Sequence, residues 1–193
     1  MKKALSFLIV LFFVGNLTAQ TDTSLVARLN QYNQYNRELN FDKLMDFLHP
    51  SLFEIVPREQ LIEAFTNIYN SDDVSITLDT IESRTISQGF VLKNVQYRKV
   101  DYYMVMNMKF KQLGEKENDT SFINYMTATL QQSMPTKKVA YNSTAKTYTV
   151  SGMDVLIAIK DTPKALWFFL GYDKSNVLTE KLFPNELVEH FKL

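Results

Sequence analysis

The hydrophobic pattern changes its period at Val74, and no other feature constrains the fold of this chain as tightly. Upstream, apolar residues recur at three- and four-residue steps. Leu25, Leu29, Tyr32, Tyr35 and Leu39 form one set, Phe41, Leu44, Met45 and Leu48 a second, and Leu61, Ile62, Phe65, Ile68 and Tyr69 a third. That spacing lines one face of a helix with 3.6 residues per turn. The punctuation agrees with it. Asp22, Thr23 and Ser24 offer N-cap oxygens, Asn40 interrupts, Pro50 stops the second set, Pro57 suits the first position of a third helix, and Asn70-Ser71-Asp72-Asp73 closes it. From Val74 the period falls to two: Val74, Ile76 and Leu78 alternate with Ser75, Thr77 and Asp79, as in a strand with one wet face. Three leading helices followed by strands define an α+β chain.

The strands continue in hairpins. Gln88-Gly89 marks a turn or bulge between two extended segments, and the longest strand is expected from about Tyr97 to Leu113. Tyr102, Met104, Met106, Met108 and Phe110 share one of its faces; Asp101, Tyr103, Val105, Asn107 and Lys109 share the other. Both faces carry tyrosine, so the pattern leaves open which one is concave. The acids of Gly114 to Asp119 read as a solvated tip. Thr120 or Ser121 is positioned to cap an inserted helix ending at Pro135. Val139 and Tyr141 should then face Tyr148 and Val150. Met153–Lys160 and Ala165–Tyr172, the most apolar strands, should lie centrally. A helical tail restarts at Pro184.

Residues 1–19 read as a signal peptide: Lys2 and Lys3, then an apolar run from Leu5 to Val14, then Leu17-Thr18-Ala19 before Gln20. The run is roughly a dozen residues, short of the ~20 that span a bilayer. The chain has no cysteine, which excludes a lipid anchor on that residue, disulfides and thiol chemistry. The expectation is a bacterial periplasmic or extracellular protein with no membrane anchor, its body forming one domain over 20–193. Without Lys2 and Lys3, acidic residues outnumber basic ones by about two, which argues against a nucleic-acid binder.

The helix–helix–helix–strand order, the long strand around Asp101 to Phe110 and the last strand Trp167-Phe168-Phe169-Leu170-Gly171-Tyr172 resemble the nuclear transport factor 2-like superfamily over residues 24 to 172. The resemblance implies N-terminal helices packed on a curved, mainly antiparallel sheet of about five or six strands, a cone. The inserted helix and the helical tail depart from the minimal pattern. It also implies a mostly apolar pocket inside the cone, for which Tyr35, Tyr103, Met106 and Trp167 are the expected ligand-binding residues. No shared catalytic motif exists to be carried over. The expected role is a non-catalytic binding domain for a small apolar or amphipathic ligand, or for a protein partner. The alternatives are a lyase- or isomerase-like enzyme and a structural homodimer formed through the sheet.

Few side chains suit chemistry. Asp101 with Tyr103 would make a base and an oxyanion donor if that face is concave, and a solvated row if it is not. His49, before Pro50, is either a base or a helix cap. Asp154, in an apolar strand, needs a partner such as Lys160 or Lys138 unless it is a catalytic acid. His190 reads as surface. Two isolated histidines match no metal-binding spacing, and no glycine-rich phosphate loop or serine-nucleophile motif occurs, so no metal or cofactor is expected.

Overall fold

Asp22 decides where the first helix begins. Its Oδ1 accepts the backbone N–H groups of Ser24 (2.9 Å) and Leu25 (3.3 Å), two donors that the helix itself leaves unpaired. This computed structural model describes residues 22–193; the stretch 1–19, read from the sequence as a signal peptide, lies outside the described residues. Helix α1 (Thr23–Arg37) buries Leu25, Leu29 and Asn33, one stripe at four-residue steps. Leu39, at φ 53°, turns the chain into α2 (Phe41–Met45), which Asn40 caps. Helix α3 (Arg58–Tyr69) follows Pro57, which sits at the N-cap with extended ψ rather than at the first helical position. Phe41 joins these helices, with ring centroids 5.6 Å from Phe65 and 5.4 Å from Tyr69.

Six antiparallel strands follow: β1 (Val74–Ile86), β2 (Phe90–Leu92), β3 (Val95–Phe110), β4 (Lys138–Asn142), β5 (Thr147–Lys160) and β6 (Phe168–Tyr172). The order is β1-β3-β5-β4, with β2 also on β3 and β6 also on β5. The tight turn between β2 and β3 is Lys93-Asn94, both at positive φ, as a two-residue hairpin loop requires; Gln88-Gly89 only links β1 to β2. Val139 pairs with Val150 and Tyr141 with Tyr148, as the alternation implies. Beyond them β5 runs on without a break, so the segment from Met153 continues that strand instead of starting another. The expectation of a central β6 is corrected. It pairs only with β5, and the Phe47–His49 segment blocks its other edge through Phe169 N–H to the Phe47 carbonyl (2.8 Å).

The two faces of the sheet have different covers. On the inner face, Val100, Leu156, Ala158 and Phe169 pack with Leu25, Leu29, Phe47 and Trp167. On the outer face, Ile157, Ile159 and Leu170 pack under α5 (Thr179–Leu182) and α6 (Asn185–Phe191) through Phe183, Leu187 and Phe191. Covered on both sides, β5 is apolar from Val155 to Ile159. Helix α4 (Thr120–Ser133) packs beside β4 and is capped by Asp119, whose Oδ1 accepts the Ser121 N–H at 2.8 Å. The residue read as part of a solvated tip is therefore the cap. His190 is exposed, yet it stacks on Phe90 at 4.0 Å and pins α6 to β2. Among the described residues, no helix is long and apolar enough to cross a membrane.

Candidate functional site

Two bulges in β1 build the site. Its register against β3 shifts between Leu78 and Thr80 and again between Ser83 and Thr85. Each extra residue reverses the alternation once, so Leu78, Ile81, Ser83 and Ile86 all reach the inner face although they are not evenly spaced. The strand bends around α1 and leaves a cavity of about 110 Å³ between α1, α3 and the inner face. Leu29, Leu78, Ile81, Val100, Met104 and Leu156 supply its apolar wall. Tyr32, Asn33 and Asn36 from α1, Tyr69 at the end of α3, Ser83 and Tyr102 supply its polar groups.

Among the described residues, no charged side chain lines this cavity. Burial pushes the Tyr32 hydroxyl up to about 12; a hydrogen bond from Asn36 lowers it a little and nearby Tyr69 raises it. Burial likewise raises Tyr69, and it lifts Tyr102 well above 10, with Tyr32, Asp154 and Tyr69 adding to the rise. All three hydroxyls therefore stay protonated at neutral pH, as uncharged donors and acceptors. Asn36 Nδ2 donates to the Tyr32 carbonyl at 3.0 Å and is fixed by it. Asn33 is only 6% exposed, and its side-chain amide is part of the lining.

A groove of about 520 Å³ between α1 and β1 adjoins the cavity. Leu29, Asn33, Ile81 and Ser83 line both chambers. Val26, Asn30, Arg37, Glu82, Arg84 and Ile86 complete the groove.

The residues singled out from the sequence lie elsewhere. Asp101 and Tyr103 are on the outer face, away from the cavity. Asp101 Oδ1 pairs with Lys99 at 3.1 Å and its Oδ2 accepts from Thr85 Oγ1 at 2.6 Å, while the Arg84 guanidinium lies over the Tyr103 ring at 5.4 Å. Asp154 is on the inner face opposite Tyr102, ion-paired with Lys137 rather than with Lys160 or Lys138. Lys160 instead lies over the Trp167 ring at 5.4 Å. Trp167, 1% exposed, fills the core and donates its indole N–H to Asp22 Oδ2 at 3.0 Å. Tyr35 packs on Phe47 with centroids 5.5 Å apart. Met106 sits between Leu78 and Val150 on the inner face, outside the cavity lining.

His49 caps, but not the end expected. Its Nδ1 accepts from Ser51 N (3.3 Å) and meets Ser51 Oγ at 2.8 Å, at the start of the 3₁₀ turn Pro50–Leu52; Nε2 reaches Asp161 Oδ1 at 3.1 Å. Serine, histidine and aspartate are thus in a row. Because Nδ1 also holds a backbone N–H, and because neither the cavity nor the groove touches these residues, the row ties the loop before β6 to the β6 edge.

Sequence reasoning placed Tyr32 and Tyr69 in apolar stripes and passed over Asn33 and Asn36. The available signal was those two amides beside the stripe that α1 buries, where a polar group needs a partner. Comparison of the chain with family models, with curated proteins and with solved structures finds no match.

Proposed function

We propose that this chain is an exported binding protein of nuclear transport factor 2-like architecture whose inner cavity holds an uncharged part of a small amphipathic molecule. The observation that carries the reading is the cavity's lining: three tyrosine hydroxyls, two amides and one serine hydroxyl in an otherwise aliphatic wall, with no ionised group. Such a wall rewards a neutral hydroxyl, carbonyl or ether set on an apolar skeleton, and it penalises a buried charge. Acid–base catalysis lacks its parts here. The tyrosines hold their protons, and no carboxylate, imidazole or amine lines the cavity to take a proton near pH 7. Helices first and a curved antiparallel sheet second support the architectural part of the reading. The leader-like run at residues 1–19 supports export.

The test is calorimetric titration of the chain from Gln20 with cyclohexanol and longer neutral alcohols, repeated on Tyr102→Phe and Tyr69→Phe. The expected result is saturable binding that weakens about five- to tenfold per lost hydroxyl, each hydroxyl making one hydrogen bond of about 1 kcal/mol. Absence of binding, or unchanged affinity in both variants, overturns the reading.

A further inference from the structure

The cavity is too small to be the whole site. At about 110 Å³ it falls below the ~300 Å³ at which pockets begin to enclose drug-sized ligands, whereas the groove that adjoins it measures about 520 Å³. Asn33 lines both chambers and is only 6% exposed. At that position the amide offers both a donor and an acceptor to a polar atom of a ligand. One turn further along α1, Arg37 leans across the groove and donates one Nη1 hydrogen to the Ile81 carbonyl at 3.3 Å. Among the described residues no carboxylate lies within ion-pair distance of Arg37, while the groove's other charges, Glu82 and Arg84, neutralise each other at 2.8 Å. The groove thus presents one uncompensated positive charge at its Ile81 end.

We infer that the ligand is an elongated monoanion. An uncharged polar end lies in the tyrosine-lined cavity, a polar atom of the ligand pairs with Asn33, and a carboxylate or similar anion at the outer end is held by Arg37. The inference rests on the cavity reading above and adds the ligand's length and charge. The geometry also sets a spacing: four helical residues separate Asn33 from Arg37, so the anion lies about 6 Å beyond the Asn33 contact along α1.

Three probes of equal length separate the possibilities: 10-hydroxydecanoate, 1,10-decanediol and decanoate, titrated by calorimetry into the full mature chain at low salt. The hydroxy acid should bind about fivefold more tightly than the diol, the advantage of one partly exposed Arg–carboxylate pair. It should also bind more tightly than decanoate, which lacks the inner hydroxyl. Arg37→Gln should erase the difference between hydroxy acid and diol, and Asn33→Leu should weaken both. Circular dichroism of each variant confirms that it is folded. Equal affinity of hydroxy acid and diol for the wild-type chain overturns the assignment of Arg37 while leaving the cavity reading intact. Failure of all three to bind overturns both.

Discussion

Replacing Asp22 with alanine should remove two kinds of support at once. The carboxylate caps α1 through Ser24 and Leu25, and it accepts the indole N–H of Trp167, which is 1% exposed. Loss of an N-cap costs about 1 kcal/mol, and an orphaned buried donor costs about 1–3 kcal/mol. The substitution is therefore expected to destabilise the fold by about 2–4 kcal/mol. Asp22→Ser divides the sum, because serine keeps a capping oxygen but cannot also reach the indole; it should lose about 1–3 kcal/mol. The assay is urea unfolding followed both by far-ultraviolet circular dichroism and by the fluorescence of Trp167, the sole tryptophan. The pH dependence gives an independent handle. Burial raises the Asp22 carboxyl, but hydrogen bonds from Ser24, Trp167 and Leu25 outweigh that and hold it below 3.8. A lowered folded-state pKa gives stability that is present above the unfolded value and is lost as pH falls through the folded one. Asp22→Ala should therefore show a shallower loss of stability below about pH 4 than the wild-type chain. A variant within 0.5 kcal/mol of wild type at pH 7 would refute the reasoning.

Three further outcomes are expected. In an alkaline titration read near 295 nm, Tyr32, Tyr69 and Tyr102 should ionise after the exposed tyrosines, and only as the fold opens. Because their folded pKa values are raised, the stability they contribute is complete below pH 10 and is lost above it, by about 2 kcal/mol for Tyr32 alone by pH 12. Phe169→Ala should cost about 3–5 kcal/mol in the same urea assay, since the ring is fully buried and packs on Tyr32 at 5.1 Å. Lys137→Met should destabilise by leaving Asp154 unpaired on the inner face, and the double variant Lys137→Met/Asp154→Leu should recover most of the loss; a double-mutant cycle checks both.

How far the sequence could be read follows from where its periods hold. The three helices, the 139/150 and 141/148 register and the restart at Pro184 were legible because capping residues and regular alternation mark them locally. β1 beyond Asp79 was not, because its two bulges break the period of two at the residues that form the cavity wall. β6 looked central because it is apolar; its edge is closed instead by Phe47–His49, a contact across more than a hundred residues that no local pattern encodes. The face of β3 was undecidable from alternation alone, since Tyr102 and Tyr103 offer a tyrosine to each side. Only the packing of Val100 against Leu25 and Leu29 selects the Tyr102 side. That choice moved the candidate site from Asp101 and Tyr103 to Tyr32, Tyr69 and Tyr102.

The most direct test of the binding proposal is methyl nuclear magnetic resonance of residues 20–193, labelled at isoleucine, leucine, valine and methionine and titrated with 10-hydroxydecanoate. Saturable shifts are expected to be confined to Leu29, Leu78, Ile81, Val100, Met104 and Leu156. Shifts centred on Val105 and Met153 of the outer face, or none at saturating ligand, would contradict it.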